Sequence, residues 1–300
     1  MAIKLYLLVF TLALLVLAPI CKAGQLVVYW GQDARENRLY DTCDSKKYDI
    51  VNIAFLFQFG NGQPPLMNLA GHCDPSSPKG CQHVSTGIHH CQSLGTKVML
   101  SIGGDSDTYS LSSADDAREV ADYIWNNFLG GQSDSRPLGD AVLDGVDFDI
   151  EKGEPHYAAL ARRLHEHGQQ AGGKRVYLTA APQCPFPDVK LNRALSTNLF
   201  DYIWVQFYNN PQCEFNANNM ESFMSSWRTW TSTFSSSTIF IGVPASSDAE
   251  CASNGYIPRQ QMLSKVLPFA QMSQNYGGVM LWNRYFDGLK GYGDAIKSNL

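Results

Sequence analysis

Residues 144–151 read Asp-Gly-Val-Asp-Phe-Asp-Ile-Glu and alternate strictly from Val146 onward. In an extended strand successive side chains point to opposite faces, so Asp147, Asp149 and Glu151 share one face and Val146, Phe148 and Ile150 the other. Carboxylates spaced roughly 7 Å apart along a strand repel one another. Such a row suits paired acid and base work, in which one carboxyl keeps its proton while a neighbour is ionised. An exposed amphipathic strand is the plainer alternative, but Asp and Glu are poor strand formers. A calcium loop is excluded by position, because the sixth residue counted from Asp147 is Lys152 rather than Gly and the twelfth is Ala158 rather than Glu.

Elements that could position the row recur along the chain. Short, almost wholly apolar runs at 26–30, 50–57, 97–102, 141–150, 175–180, 202–207, 238–243 and 278–282 read as strands covered on both faces. Helical patterns lie between several of them. Ser113 precedes an apolar stripe over 114–129 that ends at Gly130-Gly131, and 155–169 follows the acidic row; 220–231, 258–272 and 292–298 are weaker. Segments 35–47 and 61–90 read as loops carrying short helices. Eight strands alternating with helices predict a single-domain (β/α)8 TIM barrel over 24–300. A doubly wound open sheet is disfavoured, since no Gly-x-Gly-x-x-Gly or phosphate-loop turn follows the first strand. In a barrel, function collects at the strand C-termini, where Tyr29-Trp30-Gly31-Gln32, Ser101-Ile102-Gly103-Gly104, the acidic row, Gln206-Phe207-Tyr208-Asn209 and Trp282-Asn283 all fall.

Residues 1–23 read as a cleaved export signal: Lys4, an apolar run over 5–20, then Cys21-Lys22-Ala23. The expected product is secreted and extracellular, with a vacuole as the alternative, and carries no membrane span. Removing Lys4 and Lys22 leaves 23 − 2 = 21 basic against 28 acidic residues, a net charge of −7. That balance argues against nucleic acid as a partner and is compatible with a neutral polysaccharide. Seven cysteines remain. Cys73 and Cys81 flank a short loop and read as a local bridge; Cys43 with Cys91 and Cys184 with Cys213 are the economical remaining pairs, leaving Cys251 over, although spacing alone leaves the connectivity open. No Cys-x-x-Cys occurs, and His89-His90 and His165-x-His167 lack zinc-binding spacing, so neither metal nor cofactor is expected. No Gly-x-Ser-x-Gly elbow and no N-glycosylation sequon is present.

The Ser101–Gly104 and Asp144–Glu151 strings together resemble the paired signatures of glycoside hydrolase family 18, and more narrowly plant class III chitinases of the hevamine type. The likeness runs from about residue 25 to the end. It includes Val51-Asn-Ile-Ala-Phe55, Asn68-Leu-Ala-Gly-His-Cys73, Leu178-Thr-Ala-Ala-Pro-Gln-Cys184, Gln206-Phe-Tyr-Asn-Asn210 and Tyr276-Gly-Gly-Val-Met-Leu-Trp282. The resemblance implies a (β/α)8 barrel, the three disulfides paired above, non-proline cis peptides at Ala54–Phe55 and Trp282–Asn283, and a monomer cleaving chitin or chito-oligosaccharides with retention. This family uses the substrate's own 2-acetamido group as nucleophile rather than a second carboxylate. Carried over, Glu151 is the general acid, its pKa raised by neighbouring carboxylates; Asp149 holds the acetamido group; Asp147 shares a proton with Asp149; and Tyr208 bonds the acetamido oxygen. Trp282 is a sugar platform, and Gln206, Asn209, Gln32, Asn68, Phe55 and Gly104 are expected substrate contacts. The chain departs from the pattern at Asp105-Ser106-Asp107, where relatives carry a glycine followed by small or apolar residues, so Asp105 is expected to alter the cleft. Relatives on this fold that bind sugars as lectins or inhibit xylanases typically lose part of the acidic row; here Asp147, Asp149, Glu151 and Tyr208 are all present.

Overall fold

The computed structural model describes residues 24–77, 79–152, 156–170 and 174–300. The expected signal segment 1–23 and Pro155 of the expected helix 155–169 lie outside them. Among the described residues nine strands form: β1 Gln25–Trp30, β2 Ile50–Gly60, β3 Gln63–Met67, β4 Lys97–Gly104, β5 Gly145–Ile150, β6 Tyr177–Ala180, β7 Tyr202–Gln206, β8 Thr238–Pro244 and β9 Tyr276–Trp282. Eight of them run parallel in the order β1-β9-β8-β7-β6-β5-β4-β2, and pairing of β1 with β2 closes the barrel. The (β/α)8 architecture follows from the sequence pattern because each strand is buried on both faces. One face meets the surrounding helices; the other fills the barrel with Val27, Tyr29, Met99, Trp204, Phe240 and Met280.

The differences from the sequence reading have local causes. Strand β3 pairs antiparallel with β2 inside the expected loop 61–90, and its prolines are tolerated because it is an edge strand. Strand β5 begins at Gly145, not at 141. Asp144 instead accepts the Val98 N–H at 2.8 Å and the Gln92 side-chain amide at 3.0 Å, closing the start of β4. Asp49 and Asp201 do the same for the Leu26 and Leu178 N–H groups, at 2.7 and 3.1 Å. Each of the three aspartates also pairs with a cation: Lys174, Lys297 and Arg175 respectively. Otherwise unpaired strand N–H groups at the barrel's N-terminal end are thereby satisfied.

The helix expected over 258–272 is broken into Arg259–Gln261, a π-turn at Met262–Val266 and Leu267–Ala270. Pro268 lacks an N–H and its ring crowds the carbonyl four residues back, which widens the helix there. Ser113 caps Ala114–Phe128 as expected, accepting the Asp116 N–H at 3.1 Å. Among the described residues three disulfides pair Cys43–Cys91, Cys73–Cys81 and Cys184–Cys213, and Cys251 is free and buried. Gly24 lies against Leu300 at the N-terminal end of the barrel, a Cβ at Gly24 falling 3.0 Å from the Leu300 carbonyl carbon.

Candidate active site

Alternation along β5 sends Val146, Phe148 and Ile150 outward into the helix-facing core and Asp147 and Asp149 into the barrel. Asp147 is fully buried. Its register partners on β4 and β6 are Ser101 and Thr179, whose hydroxyls donate to it at 2.7 and 2.9 Å. The Tyr29 hydroxyl donates at 2.7 Å and itself accepts the Trp204 indole N–H at 2.9 Å. Burial raises the Asp147 pKa to about 6, opposed by those donors, Tyr29 first. A carboxylate with three hydroxyl donors is an ionised group made tolerable in a dry interior.

Asp149, one turn of the pleat nearer the mouth, accepts the Gln206 side-chain amide at 3.0 Å. Gln206 also donates to the Ala181 carbonyl at 2.8 Å and accepts from Gln183 at 3.2 Å, so its amide has one orientation. Burial first, then the charges of Glu151 and Asp147, push the Asp149 pKa well above the usual carboxylate range. Glu151 stands just past the end of β5 and is half-buried. Its pKa is raised to about 7, by burial before any charge; Asp105 and Asp188 add to the rise and Lys152 opposes it. Like-charge repulsion, expected from the sequence as the cause, is therefore second to desolvation at this group. The row thus places an ionisable Asp147 behind two carboxyls that retain protons toward neutrality.

Around the row, Tyr208 follows β7 and is 7% exposed; burial, then Asp149 and Glu151, hold its hydroxyl protonated well above the ordinary range. Gly255, at φ +88°, allows the neighbouring loop to touch the Tyr208 backbone, where a Cβ would fall 2.4 Å from its Cα. Trp282 ends β9, its ring 5.5 Å from Tyr29 and 6.1 Å from a nearly parallel Phe55. The peptides Ala54–Phe55 and Trp282–Asn283 are both cis. Gly104, at φ +79°, lies under Phe55, and a Cβ there would meet the ring at 2.9 Å.

Other expected contact residues are engaged elsewhere. The Gln32 amide donates to the Ala54, Asn68 and Gly31 carbonyls at 2.7, 3.0 and 3.0 Å, stitching the loop after β1 to β2 and to the loop after β3. Asn68 is exposed and its Oδ1 closes a turn on the Ala70 N–H at 2.8 Å. Asn209 adopts φ 56°, and its Oδ1 accepts the Ser253 and Asn254 N–H groups at 3.0 and 3.4 Å. Asp105 is exposed and ion-paired to Lys152 at 3.0 Å, with Asp107 at 3.4 Å from the same ammonium. Sequence reasoning missed Tyr29, Ser101 and Thr179 as Asp147 partners. It also missed Asp188, a buried carboxyl that accepts the Gln183, Lys190 and Leu191 N–H groups at 2.9, 2.8 and 2.6 Å. Among the described residues no group of three or more His, Cys, Asp or Glu could hold a metal ion.

The model of glycosyl hydrolases family 18 matches residues 25–287. A basic endochitinase of Nicotiana tabacum is 64% identical over 284 residues, covering 95% of this chain and 94% of the relative. Among solved structures, a chitinase from Ipomoea carnea superposes with a TM-score of 0.88 at 47% identity, covering 92% of this chain and 100% of that one. A xylanase and alpha-amylase inhibitor from Scadoxus multiflorus superposes at 0.84 with 42% identity, over 92% and 98%. Barrel, acidic row and matched length agree: the chain belongs to the glycosyl hydrolases family 18.

Proposed function

We propose that this glycosidase is a secreted plant-type endochitinase that cleaves β-1,4 N-acetylglucosamine linkages with retention by substrate assistance. Glu151 carries the reading: a carboxyl at the mouth of the barrel whose pKa of about 7 keeps it protonated in mildly acidic water. It would donate that proton to the glycosidic oxygen as the bond to the leaving sugar breaks. The nucleophile would be the acetamido carbonyl oxygen of the sugar being cleaved, closing an oxazolinium ring on the anomeric carbon. Asp149 is set to hold the acetamido N–H and offset the developing positive charge, with Asp147 behind it to take up or return a proton as the pair titrates together. Tyr208, whose hydroxyl is held protonated by burial and by the charges of Asp149 and Glu151, would steady the acetamido oxygen; Trp282 would lie under the distorted sugar. Water attacking the oxazolinium, with Glu151 now as base, restores configuration and releases product.

Fold relatives named as xylanase and alpha-amylase inhibitors make a silent binding protein the second reading. Release of shorter oligomers from chito-hexaose, lost in Glu151→Gln, is the expected result. An inactive wild-type protein that binds a xylanase tightly would overturn the enzymatic reading. Secretion is tested by finding Gly24 or Gln25 as the N-terminus of the exported product.

A further inference from the structure

Pairing of β4 with β5 ends at Gly104 opposite Ile150. Glu151 is therefore the first residue beyond the ladder, and its main chain has no strand partner. Its N–H instead donates to the Tyr109 hydroxyl at 2.9 Å, the Lys152 N–H donates to the same oxygen at 2.9 Å, and that hydroxyl donates to the Gly104 carbonyl at 2.8 Å. One donor and two acceptor positions exhaust what a phenol can offer. Tyr109 is 2% exposed, and its ring stacks on Phe59 at 5.2 Å and 16°. The Lys152 ion pairs also join the two loops, but their carboxylates are largely exposed and such pairs contribute little.

We propose that Tyr109 is the positioning residue of the acid: its hydroxyl fixes the backbone of Glu151 and locks it to the Gly104 turn beneath Phe55. The inference rests on Glu151 being the general acid. The phenol does not touch the carboxyl, so it governs where the proton is delivered. Misplacing a reacting group by about 1 Å costs on the order of 100-fold in rate.

The test compares kcat/KM of wild type and Tyr109→Phe on two substrates: an N-acetylglucosamine oligomer whose leaving group is a sugar, and the same oligomer bearing a nitrophenolate leaving group that departs without protonation. Tyr109→Phe is expected to lose about 10- to 100-fold on the first and less than about threefold on the second. The ratio of the two values does not depend on how much protein is folded, so partial unfolding cannot imitate the effect. Phe59→Leu, which removes the stack and keeps the hydroxyl, should lower thermal stability with the ratio unchanged. Equal losses on both substrates, no loss on either, or the same ratio change in Phe59→Leu would overturn the role of Tyr109 while leaving Glu151 as the acid. A wild type that cleaves neither substrate would overturn the assignment of Glu151 and this role with it.

Discussion

The charges beside Glu151 predict two opposite shifts in the pH profile. As the proposed general acid, Glu151 must be protonated to donate, so kcat/KM should fall as pH rises through about 7. Asp105 raises that pKa and Lys152 lowers it, while the two are ion-paired at 3.0 Å. Asp105 and Glu151 follow residues paired across neighbouring strands, about 4.8 Å apart, which puts their carboxyls on the order of 7 Å from each other. At that separation two unit charges in a water-like medium interact by about 0.6 kcal/mol, or about 0.4 of a pKa unit. Asp105→Asn should therefore move the alkaline limb down by about half a pH unit. Lys152→Gln should move it up. Both shifts should shrink in 1 M salt, where the screening length is about 3 Å. The assay is initial-rate hydrolysis of a chito-oligosaccharide well below KM, from pH 4 to 9, at low and high salt. A limb that stays in place in both variants, or moves the same way in both, would assign it to another group and refute the reasoning.

Three further outcomes are expected. Because the folded-state pKa of Glu151 is raised from 4.5 to about 7, the native protein holds this proton more tightly and stability is lost as pH rises through that window. Glu151→Gln should be more stable than wild type at pH 8 by up to about 3 kcal/mol and equal to it at pH 4; denaturant titrations giving the same difference at both pH values would count against this. Gly104→Ala places a Cβ at φ +79° against the Phe55 ring, so it should cost about 1–3 kcal/mol from backbone strain alone and reduce kcat/KM. Normal melting and turnover in that variant would show that the turn is not tight. Replacing Cys184 and Cys213 by Ser opens a bridge of sequence separation 29, and calorimetry should register a loss of about 3–4 kcal/mol on the chain-entropy account.

The acidic row was legible because carboxylates alternate with large apolar side chains, a period that assigns faces without any knowledge of neighbours. Its partners were not. Ser101 and Thr179 meet Asp147 through inter-strand register, and in strands buried on both faces nothing in the local pattern marks a hydroxyl as inward. Gln32, Asn68 and Asn209 show the converse limit. Polar residues at strand C-termini resemble cleft groups, yet these amides satisfy loop backbone that would otherwise go unpaired. Strand β3 was hidden by Pro64 and Pro65, which argue against a strand unless it is an edge. Asp49, Asp144 and Asp201, each just ahead of an apolar run, form a pattern that could have been read as strand-start caps. It would have corrected the start of β5.

The contact between Gly24 and Leu300 lies at the opposite pole of the barrel from the acidic row. A solid support attached beside this contact holds the molecule about one strand length, roughly 20 Å, behind the mouth that carries the acidic row. Immobilised this way, the cleft faces the bulk, where a polymer too large to diffuse inward can still lie across it.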